Sequence, residues 1–254
     1  MTPAPETDNT VLNASPQRLD ILGLPVDAVN MQSALEYVEN HISNEKDAGC
    51  ILAANPEKIY AARRSSLLQN LFEHAALIVP DGIGVVFAMR RLHGIRTRRV
   101  PGADLMQEIC GLSAKKGFRI FLYGAKEDVS RKATEELKNR YPEIQIAGRA
   151  NGYVGQEEMP ALIRQINDSK TDILFVALGS PKQEEWLEEY LPQLKVKLCQ
   201  GIGGTLDTIA GTVKRAPIFM QKLNLEWFFR LLMQPSRFFR QRVLLAFMWE
   251  LVKK

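Results

Sequence analysis

The run ALIVPDGIGVVF, residues 76 to 87, begins as a short apolar segment, halts at Pro80-Asp81-Gly82 and resumes with helical spacing. An apolar run this short, ended by proline and glycine, reads as a strand covered on both faces, as strands of parallel sheets are. The same strand, turn and helix unit recurs along the chain. RLDILGLPV precedes MQSALEYVENHI, GCILAAN precedes PEKIYAARRSSLLQNLFEHA, and ALIVPD precedes the helical GVVFAMRRLHG. FRIFLYG, IQIAGR and DILFVALG are each followed by a helical pattern, EDVSRKATEELKNRY, EEMPALIRQINDS and KQEEWLEEYL, and VKLCQGIG is the last strand. Such alternation predicts an α/β fold, a mostly parallel sheet with helices on both faces.

The 254 residues are 46% apolar, enough for one substantial core. Residues 1–18, opening MTPAPETDNTVLNASPQ, read as a loose polar arm and not a signal peptide, because no basic segment leads into an apolar one. Three cysteines, Cys50, Cys110 and Cys199, are odd in number and far apart, which suits reduced thiols better than a disulfide framework. The histidines, His41, His74 and His93, have no metal-ligand spacing, and no metal site is expected. The net charge of +4 is unevenly placed: from Lys214 to Lys254 nine Lys/Arg face two Glu, a local +7, leaving about −3 for the rest. The chain therefore divides into a core, 19–213, and a basic, aromatic appendage, 214–254, expected to be helical with a break at Pro235. Its longest uncharged apolar run, Val243 to Trp249, falls well short of the roughly 20 residues a spanning helix needs. It suits a helix lying on a membrane surface, or a contact between two copies of the chain.

In open α/β sheets ligands gather beyond the carboxyl ends of the strands. That rule selects Asn55, Asp81, Gly124, the loop Gly179-Ser180-Pro181-Lys182-Gln183 and the turn Gly201-Ile202-Gly203-Gly204-Thr205, with Asp207 just after it. Backbone N–H groups of the last turn suit a diphosphate, although any tight strand-to-helix turn calls for glycine. Ser180, Pro181 and Glu184 have the spacing of a helix start with a capping box. Lys182 and Gln183 do not follow from that pattern; a cation at a helix start is unfavourable unless an anion such as a nucleotide diphosphate meets it. Five arginines between Arg90 and Arg99 lack interleaved aromatics, so a solvated face or an acidic ligand is expected there and not nucleic acid.

Eight blocks in order, ANPEKI, VPDGIGVV, RVPGADLM, FLYGAKEDV, NGYVG, LGSPKQEEW, GIGGTLDTIAGTVKRAP and NLEWFFRLLMQPSRFFR, resemble the WecG/TagA/CpsF glycosyltransferases of bacterial surface-polysaccharide and wall teichoic acid synthesis. The resemblance runs from about Asp20 to Arg240. It implies a Rossmann-like core and a metal-independent, inverting transfer of a hexose, N-acetylhexosamine or its uronic acid from a UDP-sugar to a polyprenyl-diphosphate-linked saccharide. It also implies a cytoplasmic protein bound peripherally to the inner membrane face, with no cofactor beyond the donor substrate. The family's proposed base matches Asp81, its threonine- or asparagine-bearing loop matches Asn55, and its nucleotide-sugar glutamine matches Gln183. Its appendage arginines fall at Arg215, Arg230, Arg237 and Arg240, with Arg242 beside them.

An inverting transfer needs one base for the acceptor hydroxyl and positive charge for the departing diphosphate. Asp81 is expected as that base, its pKa raised by partial burial, with Gly82 and Gly84 leaving room for the sugar. Ser180, Lys182, the Gly201–Thr205 turn and an appendage arginine such as Arg215 or Arg230 are expected to meet the diphosphate. Ending the chain after Val213 is expected to abolish transfer and leave the core folded. A nucleotide-binding oxidoreductase or regulatory domain, and a non-catalytic membrane-surface scaffold, are the readings from other classes that the same glycine turns and basic tail allow.

Overall fold

A computed structural model of the chain describes residues 16–44, 47–214 and 238–253, with positions 216, 217, 220 and 229. Arg215, Arg230, Arg237, Pro235 and most of the N-terminal arm lie outside the described residues.

The chain opens with β1 (Arg18–Ile21), β2 (Leu24–Asp27) and α1 (Met31–Asn44). RLDILGLPV is thus not one strand but an antiparallel hairpin. Leu22 and Gly23 both take positive φ, 55° and 89°, which gives a two-residue turn matching the twist of the strands. Leu22 accepts that conformation while buried. Then follow β3 (Gly49–Ala54), α2 (Pro56–Ala62), α3 (Ser66–Glu73), β4 (Leu77–Pro80), α4 (Ile83–His93) and α5 (Gly102–Lys116). The expected single helix from Pro56 is two, because Ser65 accepts the Leu68 N–H and starts α3 afresh. Helix α5 was not anticipated; Leu105, Met106, Ile109 and Cys110 form its buried stripe and Gly117 ends it at φ 75°. The remainder is β5 (Arg119–Gly124), α6 (Glu127–Arg140), β6 (Gln145–Ala150), α7 (Met159–Asp168), β7 (Ile173–Ala177), α8 (Lys182–Tyr190), β8 (Leu198–Gly201), α9 (Thr205–Ile209) and α10 (Phe238–Lys253).

Strands β3 to β8 form one parallel sheet in the order β4-β3-β8-β7-β5-β6. Side chains alternate between its faces. Leu52, Ile78, Phe121, Leu174 and Cys199 pack with α2, α3, α4, α7, α8 and α10. Ile51, Val79, Leu122, Phe175 and Leu198 pack with α1, α5, α6 and α9 on the other side. This double cover is why the strands read as continuous apolar runs. Edge strand β4 is stopped from pairing further in part by Asp27, which is buried, accepts the Ile78 N–H at 2.7 Å and is held by Arg18 at 2.8 Å. The three cysteines are free and buried, and desolvation pushes the Cys50 and Cys110 thiols up to about 12.

Helix α10 is part of this core and not a detached tail. Phe247 and Leu251 are fully buried against α2 and α4. Glu250 accepts from Arg63 at 2.8 and 2.9 Å and from the Tyr60 hydroxyl at 2.8 Å. Burial first, and then the Glu250 carboxylate, raise the pKa of Tyr60. The core was expected to stand intact without residues 214–254; within that span, Phe247 and Leu251 of α10 cover apolar surface on α2 and α4 that their removal would expose. Leu245, Trp249 and Val252 face outward. No helix among the described residues is long and apolar enough to cross a membrane.

Candidate active site

Sheet order gathers residues that the sequence scatters. Taken along the carboxyl edge, β4 ends at Asp81, β3 at Asn55, β8 at the Gly201–Thr205 turn, β7 at the Gly179–Gln183 loop, β5 at Gly124 and β6 at Asn151. At about 4.8 Å per strand, Asp81 lies roughly 15 Å from the β7 loop.

Asp81 is half-buried. Its N–H donates to the Ala54 carbonyl at 3.0 Å, extending the β3–β4 pairing by one step, and its Oδ1 accepts the Gly102 N–H at 3.3 Å. Asp81 does not cap α4: Gly82 is the N-cap, and no side chain caps it. Asn55 stands beside Gly82 and caps α2, its Oδ1 accepting the Lys58 N–H at 2.9 Å. Gly82 and Gly84, expected to leave room for the sugar, stand close against protein. A Cβ on Gly82 would lie 3.3 Å from Pro56 Cδ, and one on Gly84 3.2 Å from Pro56 Cγ and 3.5 Å from Phe247 Cε1. Gly124 is likewise set by packing: at φ 126° its Cβ would come 2.4 Å from the Ala177 carbonyl oxygen.

The β7 loop departs from its sequence reading. Ser180 is exposed and joined to Pro181 by a cis peptide bond; Pro181 is the N-cap of α8, and no side chain caps it. Glu184 does not close a capping box. It is buried, with Oε1 2.9 Å from Lys58 Nζ and 2.9 Å from Gln183 Nε2. Gln183 is itself buried, and its Oε1 accepts the Gly203 N–H at 2.8 Å. Both ends of that amide are therefore engaged within the protein, so Gln183 shapes the glycine turn from below. Gly201 must lack a side chain for the same reason, since its Cβ would lie 2.8 Å from Gln183 Nε2. Lys182 is exposed at the start of α8, where Glu184 and Glu185 share the first turn.

Of the turn expected to receive a diphosphate, several N–H groups are taken within the protein. Gly203 donates to Gln183, Ile202 to the Val176 carbonyl and Thr205 to the Ile202 carbonyl, which also receives the Thr205 hydroxyl. Helix α9 is a single short turn, with Gly204 exposed as its N-cap and Asp207 half-buried in it. Arg240 and Arg242 lie on the first turns of α10. Among the basic decade, Arg90, Arg91, Arg96 and Arg98 are exposed, while Arg99 is half-buried. Arg99 precedes Val100, whose N–H reaches the Pro80 carbonyl at 2.8 Å and ties this loop to the end of β4.

Sequence reading did not single out Lys58, Gly102 or Gln200. Gln200 alone carried a signal, a polar residue within the apolar run VKLCQ. Lys58 and Glu184 make a testable structural claim. Replacing Lys58 with Met leaves Glu184 buried without its cation, and its Oε2 already has no hydrogen-bond partner among the described residues. Such a break costs about 3–5 kcal/mol. A urea titration is expected to show that loss, with Lys58→Met/Glu184→Met recovering much of it; equal midpoints for Lys58→Met and wild type would contradict it.

Comparison with known proteins identifies the family. The model of the glycosyl transferase WecG/TagA/CpsF family matches residues 19–254. A protein of Bacillus subtilis (strain 168), named N-acetylglucosaminyldiphosphoundecaprenol N-acetyl-beta-D-mannosaminyltransferase, is 38% identical over 220 residues, 87% of this chain and 85% of that protein. A protein of the same name from Staphylococcus aureus (strain MRSA252) is 35% identical over 237 residues, 93% of this chain and 92% of that one. With the parallel sheet and its strand-end residues, these matches place the chain in the WecG/TagA/CpsF family, and it is a glycosyltransferase.

Proposed function

We propose that this enzyme moves a hexose, N-acetylhexosamine or hexosaminuronic acid from a UDP-sugar to a polyprenyl-diphosphate-linked saccharide, with inversion, without a metal, at the inner membrane face. Its relatives' names supply the acceptor class, an N-acetylglucosaminyl diphosphoundecaprenol. One observation carries the mechanism: a half-buried carboxylate, Asp81, held by the Gly102 N–H at the end of β4, beside Asn55 and on the same sheet edge as the glycine turn and Lys182.

In this reading the acceptor hydroxyl oxygen attacks the anomeric carbon and its proton passes to the Asp81 carboxylate. The bond from that carbon to the diphosphate oxygen breaks, and its electron pair leaves with UDP. A single carboxylate suffices because no sugar-enzyme bond forms. This reading assigns the growing charge to Lys182, the exposed Gly204 and an appendage arginine such as Arg215 or Arg230. Gly201, Gly203, Thr205 and Gln183 give the turn its shape. Outward Leu245, Trp249 and Val252 on α10, with Lys253 beside them, suit an anionic membrane surface, where Arg237, Arg240 and Arg242 add charge.

The test is UDP release from a panel of UDP-sugars in the presence of chelator, with and without a short-chain N-acetylglucosaminyl-diphospholipid. Release from at least one donor, dependent on the lipid, is expected; none from any donor with the lipid present would defeat the proposal.

A further inference from the structure

Gln200 sits on β8, third in the sheet, where its neighbours Leu198 and Cys199 are apolar, and it is only 2% exposed. Burying an amide is costly unless both its polar atoms are paired. Here Oε1 has no hydrogen-bond partner among the described residues. A position that keeps this group has some return for it, and the contact made by Nε2 shows what that is. Nε2 donates to the Gly102 carbonyl at 2.9 Å, and Gly102 in turn donates its N–H to Asp81 Oδ1 at 3.3 Å. The link crosses beneath β3, whose Ala53 Cβ would stand 3.5 Å from a Cβ on Gly102. Two residues before Gly102, in the loop that leads into α5, the Val100 N–H binds the Pro80 carbonyl. Gly102 is therefore gripped from two strands, by β4 through Val100 and by β8 through Gln200.

We propose that Gln200 is a positioning residue for Asp81, acting through Gly102; this rests on the reading of Asp81 as the base. Gly102 opens α5, so its N–H is one of the helix's first-turn donors without a partner inside the helix, and its direction follows the set of that turn, which Gln200 holds through the Gly102 carbonyl. Gln200 fixes that direction from below. The N–H then restrains rotation of the Asp81 carboxylate, which presents its oxygens to the acceptor in one orientation. Loss of the grip leaves donor binding in place and lowers the rate of the chemical step.

The experiment compares wild type, Gln200→Met, Asp81→Asn and the double variant in the transfer assay, with thermal unfolding of each. Methionine keeps the length and removes donor and orphaned acceptor together, so the melting temperature is expected not to fall. For Gln200→Met, kcat is expected to drop about tenfold or more, the loss of one well-placed hydrogen bond, with KM for the donor changed less than about twofold. In the Asp81→Asn background the same substitution is expected to cost nothing further, because the group it positions is gone. A wild-type kcat for Gln200→Met, a change confined to KM, or an equal loss in both backgrounds would overturn the proposal. Should Gln200→Met unfold, Gln200→Leu serves in the same comparison. If Asp81→Asn alone retains the wild-type rate, the failure lies in the reading of the base, and the role of Gln200 falls with it.

Discussion

Substitution of Asp81 by Asn is expected to lower acceptor-dependent transfer by about 10²–10⁴-fold, the range removed with a general base. Asparagine has the shape of aspartate and keeps an oxygen to accept the Gly102 N–H, so the loop at the end of β4 holds its place. What it lacks is the ability to take a proton from the acceptor hydroxyl. The fall should therefore appear in kcat, with KM for the UDP-sugar and the melting temperature near those of wild type. Initial rates over a donor titration read both parameters at once. A large rise in KM with kcat intact would instead assign Asp81 to binding.

Removal of residues 238–254 is expected to have the largest effect on stability. Phe247 and Leu251 are both fully buried, and Phe247 fills the space over Gly84 near the start of α4. Truncating one such side chain costs about 2–5 kcal/mol. Losing both, with the Glu250 pairing to Arg63 and Tyr60, is expected to remove at least about 5 kcal/mol, a large part of the stability of an ordinary domain. Transfer should be lost even with a water-soluble acceptor, because α4 begins two residues after Asp81 and loses its cover. Thermal unfolding and the soluble-acceptor assay check this together. A shortened chain that melts with wild type and transfers at its rate would show that α10 serves only as an attachment to membranes.

The sheet was legible because parallel strands covered on both faces have to be apolar throughout, and each ends where a turn residue interrupts it. ALIVPDG displays that rule in seven residues. The hairpin at 18–27 was not legible, since its turn uses Leu22, a residue that seldom takes positive φ. The division of α2 from α3 turned on whether Ser65 would cap, and serine occurs as readily on helix surfaces. At the site, the strand-end rule brought out Asp81, Asn55 and the glycine turn, because it depends on position alone. The duties of individual residues did not follow, since each is set by a partner distant in sequence. Gln183, expected to contact the nucleotide sugar, also holds the Gly203 N–H, a partner twenty residues further along the chain. Gly84 resembled a space for substrate until Pro56 and Phe247 occupied its surroundings. Glu184 resembled a cap until Lys58, more than a hundred residues earlier, drew it inward.

The most direct test of the account is mass-spectrometric detection of the lipid-linked product, one sugar longer than the acceptor, from wild-type and Asp81→Asn enzyme incubated with the same UDP-sugar and N-acetylglucosaminyl-diphospholipid. Product from wild type, with formation by Asp81→Asn slowed about 10²-fold or more at saturating donor, is the predicted result. Equal product from both enzymes would contradict the assignment of Asp81, and with it the mechanism built on the end of β4.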